Sequence, residues 1–296
     1  MPLTPDSPFH LDNTLGYHRW REQKLAQAPG HLSELWVDIR DPLHLTTAEI
    51  DACHARIRRC NAVLYASTNT TANHDIPLQL GTQLGLRNLD ANWLADEDGI
   101  SAISVHPTAT RVPYIPYTNR PIKWHTDGYY NPPDRLIRSM ILHCVCPAQS
   151  GGSNRLMDPE MAYIQLRDQS PEHIHALMQR DTMTIPQREG ETSDRPAQTG
   201  PVFSFDAEDH LHMRYTARTH SIHWKQDDQT LSAVKALESL LVAPDNPAVF
   251  EVFLEAGAGL LCNNVLHDRS GFTDDPNAPR LLFRARYIER IPVRGE

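Results

Sequence analysis

Pro121-Ile122-Lys123-Trp124-His125-Thr126-Asp127-Gly128 is the stretch on which the reading of this chain turns. A Pro-flanked extended segment, Tyr117 to Lys123, runs into His125-Thr126-Asp127, and Gly128 supplies a turn signal directly after it. In a strand the side chains at i and i+2 share a face, so His125 and Asp127 can reach one metal ion together. Two histidines and one carboxylate can occupy one face of an octahedral Fe(II), leaving adjacent positions open for a co-substrate and O2. The second histidine offered by the sequence is His267, which sits just after Leu260-Leu261-Cys262-Asn263-Asn264-Val265-Leu266, near the end of a late strand. The tripeptide by itself is weak. With 16 histidines in the chain, about one His-x-Asp is expected by chance. His10-Leu11-Asp12 is a second instance, and it reads as an accident of a Pro- and His-rich N-terminal arm.

The surroundings of the motif set the fold class. From about residue 111, short apolar strands alternate with turns, the texture of an all-β barrel or sandwich. The strands expected there are Leu136 to Val145, Asn154 to Met157, Val202 to Phe205, Leu211 to Tyr215 and Leu281 to Ile288. Ala248 to Leu254 and Leu260 to Asn263 read as a hairpin about Ala256-Gly257-Ala258-Gly259. Helices are expected at Pro159 to Arg167, Pro171 to Arg180 and Thr230 to Leu241, the last with Leu231, Val234, Leu237, Leu240 and Leu241 on one face. Gln187 to Thr199 has little apolar content and reads as a surface loop. Upstream, Tyr17 to Ala26 is a short helix and Leu35 to Ile39 a strand. Thr46-Thr47-Ala48-Glu49 opens a helix with a hydroxyl cap, Ala62 to Ala66 is a second strand, and Pro77 to Leu86 a further helix. No linker composition divides the chain. The expectation is one domain over 1–296, with an N-terminal α/β elaboration over 1–110 and a β core with helical insertions over about 111–290.

Composition excludes several classes of function. A formal charge of -9 argues against nucleic-acid and anionic-membrane partners, which need a clustered basic surface, but leaves room for a local basic pocket that holds a small anion. No apolar run approaches the roughly 20 residues of a membrane helix, and the N-terminus shows no signal peptide, so a cytoplasmic location is expected. The five cysteines lack framework spacing and are expected to be reduced. Cys144-Val145-Cys146, inside an apolar strand, reads as packing.

Trp124-His125-Thr126-Asp127, Leu142-His143-Cys144, Ser150 to Asp158, Asn263 to Phe272 and Arg280-Leu281-Leu282-Phe283-Arg284 together resemble the Fe(II)/2-oxoglutarate-dependent dioxygenases. The match is to the branch containing taurine dioxygenase, clavaminate synthase and γ-butyrobetaine hydroxylase, with order and spacing agreeing from about Tyr114 to Ile288. The resemblance implies a mainly β fold with flanking helices about a double-stranded β-helix (jelly-roll) core. It implies His125, Asp127 and His267 as iron ligands and Fe(II), 2-oxoglutarate and O2 as cofactor and co-substrates. It places Arg280 on the distal carboxylate of 2-oxoglutarate, a task that suits a guanidinium fork. Asn154 falls where the family usually has Thr or Ser on that same carboxylate, a departure from the pattern. Arg284 matches a position that reaches an anionic or polar group near the substrate. Arg286 shares its face by strict alternation, so position does not select between the two.

Arg214, Tyr215, Arg218 and Tyr129 are further candidates for the substrate pocket. Tyr114, Tyr117, Tyr129 and Tyr130 could instead form an ammonium cage, although core packing is the commoner use of aromatics. The carboxylate at 127 speaks against a halogenase, because the family's halogenases leave that ligand position to chloride. The expected activity is hydroxylation of a small polar anionic or zwitterionic molecule with release of succinate and CO2; homo-oligomerisation is left open. The alternatives are dealkylation or desaturation by the same kind of enzyme, a non-catalytic metal- or ligand-binding barrel, and a zinc hydrolase, which would leave Arg280 unexplained.

Overall fold

The computed structural model describes residues 3–90, 99–105, 115–187, 195–218 and 222–292. Tyr114 and most of the expected Gln187 to Thr199 loop lie outside the described residues. The N-terminal part contains α1 (Thr14–Gln27), β1 (Trp36–Asp38), α2 (Thr47–Cys60), β2 (Ala62–Ala66), α3 (Asp75–Gln83) and β3 (Ser101–Ile103). Then follow β4 (Ile122–His125), β5 (Ser139–Cys146), β6 (Ser150–Gly151), β7 (Asn154–Met157), α4 (Pro159–Gln169) and α5 (Pro171–Leu177). Next come β8 (Met183–Ile185), β9 (Gln198–Gly200), β10 (Phe203–Phe205), β11 (Leu211–Met213), β12 (His223–Trp224) and α6 (Asp228–Val242). The chain continues with β13 (Val249–Val252), β14 (Gly259–Cys262), β15 (Leu266–Arg269), β16 (Phe272–Thr273) and β17 (Leu281–Tyr287).

Local signals account for several boundaries. Thr46 caps α2 through a reciprocal pair with Glu49, the carboxylate accepting the Thr46 N–H at 2.6 Å while Thr46 Oγ1 accepts the Glu49 N–H at 3.3 Å. α3 starts two residues earlier than expected and stops at Gln83, ahead of Gly85, whose φ of 89° suits a helix-ending glycine.

Two sheets pack face to face. One has six strands in the order β1-β2-β14-β5-β17-β3, the other four in the order β13-β7-β15-β4. Strand alternation sorts the side chains into three layers. Leu64, Met140, Leu142, Leu260 and Leu282 from the large sheet meet Leu156 and Val252 from the small one in the space between them. On the outer face of the large sheet, Val63, Ile141, Phe283 and Tyr287 pack under Ile57 of α2 and Leu80 of α3. Trp124, Met157 and Leu266, on the outer face of the small sheet, join a core built with Tyr163, Ile174 and Leu237 of α4, α5 and α6. The chain is therefore β-rich with flanking helices.

Two expectations change. β13 and β14 do not form a hairpin: β13 pairs with β7, while β14 lies between β2 and β5. Ala256 to Gly259 carries the chain from one sheet to the other, so each strand finds its partner far away in sequence. Gln198 and Thr199, expected in a loop, belong to β9, which pairs with β8. Among the described residues no helix is long and apolar enough to cross a membrane, and all five cysteines are free thiols.

Candidate metal centre and its arginine-lined surroundings

β4 and β15 are antiparallel neighbours, and His125 and His267 are direct partners in that pairing. Alternation sends Trp124 and Leu266 outward to the helical core, so both histidines point between the sheets. Their ring centroids are 4.2 Å apart. Asp127 lies just past the end of β4, and its Oδ1 is 3.6 Å from His125 Nε2. One ligand atom from each of His125, Asp127 and His267 falls within 4.8 Å of the others. Gly128, at φ 68°, then turns the chain away; a Cβ there would sit 2.3 Å from Ile137 Cγ1. That turn requires glycine.

The histidines are oriented from behind. His125 Nδ1 is 2.9 Å from the Lys123 carbonyl and His267 Nδ1 is 2.9 Å from the Val265 carbonyl. A carbonyl can only accept, so each neutral ring carries its proton on Nδ1 and keeps a lone pair on Nε2. Burial pushes His267 down to about 4, which keeps it neutral. Burial works against ionisation of Asp127, yet the Arg284 guanidinium, with Arg286 behind it, holds the carboxyl well below its usual range. Arg284 Nη1 lies 3.2 Å from Asp127 Oδ2 and donates to Oδ1 at 3.5 Å, while Oδ2 is buried and accepts no hydrogen bond. Two imidazole lone pairs and an under-satisfied carboxylate converging on one point suit a divalent cation.

Arg280 precedes β17 on the same inward face as Leu282, Arg284 and Arg286. It is 5 % exposed, and its guanidinium stands 5.1 Å from the Phe272 ring centroid. Its backbone N–H donates to Asp274 Oδ1 at 2.9 Å. Among the described residues its side chain has no hydrogen bond or ion pair, and the Asp274 carboxylate acts on it only through space. Gly152, at φ 78°, passes beside it with its ideal Cβ position 3.5 Å from Arg280 Nε. Asn154, on the inward face of β7, donates one amide hydrogen to the Asp268 carbonyl at 2.7 Å, which leaves a single N–H for any other acceptor.

The arginines that alternation could not separate have different partners. Arg284 faces Asp127, whereas Arg286 donates to Tyr130 Oη at 2.9 Å and to Asp90 Oδ2 at 2.6 Å. Arg214 has its guanidinium occupied by the chain itself: Nε, Nη1 and Nη2 donate to the carbonyls of Tyr129, Met183, Gly200 and Gln198, a bracket between loops. It also borders a cleft of about 890 Å³ against Phe9 and Leu11, whose lining contains none of His125, Asp127 and His267. Tyr215 faces the other way. It is fully buried, its ring 6.3 Å from that of Trp224, in the helical core. Tyr129 meets His125 edge-on at 6.4 Å, and the charge of Arg218 bears on its hydroxyl. An ammonium cage at Tyr130 is disfavoured because the Arg195 guanidinium already covers that ring at 4.9 Å.

Three contributors had no assigned role from sequence. Arg269 is buried and donates to the carbonyls of Pro116, Thr118 and Arg120, holding the approach to β4. Asp90 anchors Arg286, and Asn264 grips the backbone of Asp127. The only sequence signal for the last is a pair of asparagines at the turn before β15.

Comparison with known proteins places this fold in a family. Residues 85–286 match the model of the taurine catabolism dioxygenase TauD, TfdA family, and the chain belongs to that family. A uridine-5′-phosphate dioxygenase from Streptomyces sp is 34% identical over 171 residues, covering 55% of this chain and 60% of that protein. One from Amycolatopsis sp is 32% identical over 174 residues, covering 56% and 60%. The match thus spans about three-fifths of the length of either relative. Among solved structures, an asparagine oxygenase in complex with Fe(II), 3-hydroxyasparagine and succinate superposes with a TM-score of 0.60 at 14% identity, covering 83% of this chain and 81% of that one. A taurine dioxygenase from Burkholderia xenovorans gives 0.56 at 18%, covering 86% and 87%. These likenesses concern the fold.

Proposed function

We propose that the protein is an Fe(II)- and 2-oxoglutarate-dependent dioxygenase that oxidises a small phosphate-bearing molecule of the nucleoside monophosphate class. In this reading residues 1–296 are one domain, and the two facing sheets are a double-stranded β-helix. The observation that carries the activity is the convergence of His125, Asp127 and His267 within 4.8 Å, beside a buried Arg280 with no carboxylate partner among the described residues. The three side chains would hold the metal through two Nε2 atoms and one carboxylate oxygen. Arg280 would clamp the distal carboxylate of 2-oxoglutarate, with the remaining amide hydrogen of Asn154 as a second donor. The metal, when bound, would supply activation of O2 and the oxidising power for the substrate, with 2-oxoglutarate as the source of the electrons and of succinate and CO2.

The chain's own residues orient and exclude. Backbone carbonyls of Lys123 and Val265 hold the imidazoles in the ligating tautomer, and Arg284 keeps Asp127 ionised. The substrate class is supported by the names of the two curated relatives and by local charge. Arg284, Arg286, Arg218 and Arg195 gather around Asp127, Tyr129 and Tyr130, a cationic neighbourhood in a chain of net charge -9. Such a patch attracts a dianion. Of the residues that the sequence offered for substrate contact, Arg284, Arg218 and Tyr129 remain in this reading.

Anaerobic addition of Fe(II) and 2-oxoglutarate to the metal-free protein should produce the weak visible charge-transfer band of the chelate. Admission of O2 should then release succinate, faster with uridine 5′-phosphate than without it. A folded protein giving neither band nor succinate would defeat the activity; succinate release indifferent to every nucleoside monophosphate would defeat the substrate class alone.

A further inference from the structure

We propose that Asn264 is a positioning residue of the metal centre: its side-chain amide takes the place of a missing strand neighbour for Asp127 and locks that carboxylate to the strand carrying His267. The proposal rests on the metal-centre reading above. β4 ends at His125, and Thr126 is paired with Tyr215 through a backbone bond of 3.0 Å and through its hydroxyl at 3.1 Å. One residue further on, the ladder has run out. The Asp127 N–H donates instead to Asn264 Oδ1 at 2.8 Å, and the Asp127 carbonyl accepts from Asn264 Nδ2 at 3.0 Å. The second amide hydrogen of Asn264 goes to the Ile137 carbonyl. No other hydrogen bond to the Asp127 backbone occurs among the described residues.

This geometry selects asparagine. The side chain must offer one acceptor and two donors, which only a carboxamide does. It must also be short, because Asn264 is 3 % exposed and stands in the turn between β14 and β15 with φ 50°. Asparagine tolerates that left-handed conformation better than most residues. Aspartate would keep the acceptor but set a carboxylate against two carbonyls. Because Asn264 lies three residues before His267, the amide joins two of the three candidate ligands through one tight turn. Its neighbour Asn263 makes equivalent contacts for a different purpose, accepting from the Ile291 N–H at 2.8 Å and so tying down the end of the chain.

The test is anaerobic titration of the metal-free full chain with Mn(II), following free Mn(II) by electron paramagnetic resonance, for wild type, N264G, N264D and N263A. Glycine accepts the φ of 50° and removes only the amide, so N264G separates the clamp from backbone strain. The expected result is a Kd raised roughly 10- to 100-fold in N264G and N264D, the range for groups that orient metal ligands. N263A should bind like wild type even though its unfolding midpoint in urea falls. Wild-type affinity in a folded N264G or N264D overturns the proposal, as does equal weakening in N263A, which would mark a general structural effect. Failure of the wild type to bind Mn(II) would instead overturn the metal-centre reading on which the proposal stands.

Discussion

His125 and His267 are directly opposed residues of two antiparallel strands, their rings 4.2 Å apart and their Nδ1 atoms each held by a carbonyl two residues earlier in the chain. The candidate metal centre is thus a register position of a sheet, and its geometry depends on sheet pairing as much as on the ligands. Asp127, on the turn beyond β4, completes it. D127A should abolish both the anaerobic chelate band and Mn(II) binding, and reduce succinate release to background. H10A should change none of the three, since His10 and Asp12 lie in the N-terminal arm, with Nδ1 and Oδ2 4.0 Å apart and, among the described residues, no second histidine clustered with them.

Arg280 is expected to act on co-substrate binding rather than on the metal. R280A should raise the KM for 2-oxoglutarate about 10- to 100-fold, corresponding to the loss of about 1.5–3 kcal/mol from a charge-assisted contact. Mn(II) affinity without 2-oxoglutarate should stay within about twofold of wild type. An unchanged KM would remove Arg280 from the anion pocket.

The two partners of Asp90 should differ sharply in worth. Asp90 and Arg286 have side chains 1 % and 3 % exposed, whereas that of Arg135 is 54 % exposed. D90A removes the carboxylate buried against Arg286 and should cost about 3–5 kcal/mol in urea unfolding. R135A should cost less than about 1 kcal/mol. Similar losses for both variants would contradict the burial-based account of this network.

Buried neutral histidines make the fold acid-sensitive well above the carboxylate range. Burial pushes His143, which is hydrogen-bonded to Tyr65 Oη at 2.8 Å, down to about 4, and burial first, then Arg138, pushes His212 to about 3. Below a pH of about 6.5 the unfolded chain binds protons at these rings that the folded chain refuses, so stability falls as pH drops towards 4. Each such histidine contributes a slope of about 1.4 kcal/mol per pH unit within that window. Urea unfolding of metal-free H143Q between pH 6 and 4.5 should show the slope reduced by about that amount. An unaltered slope would mean that His143 is protonated in the folded protein.

Much of the site is readable from local rules because side-chain direction along a strand is set by covalent geometry. Alternation puts His125 with Asp127, and Arg280 with Arg284 and Arg286, on common faces, and the Thr46–Glu49 pair marks the start of α2. It cannot divide Arg284 from Arg286, because that choice depends on Asp127 and Asp90 arriving from elsewhere. Arg214 escapes local reasoning for the same cause. A charged residue on a strand end looks available until the four carbonyls that surround it are known.

What this sequence determined by itself was the set of periodicities, caps and turn residues, each a matter of neighbours within a few positions. Together with motif order these were enough for the β-rich class and the candidate ligands. Only the tertiary structure decided that β13 and β14 part to different sheets, that Asp90 secures Arg286, and that Asn264 grips Asp127. The last two contacts join residues 196 and 137 positions apart. Pairings of that span are chosen by which surfaces bury one another and which polar groups must find partners inside, and no local propensity encodes that choice.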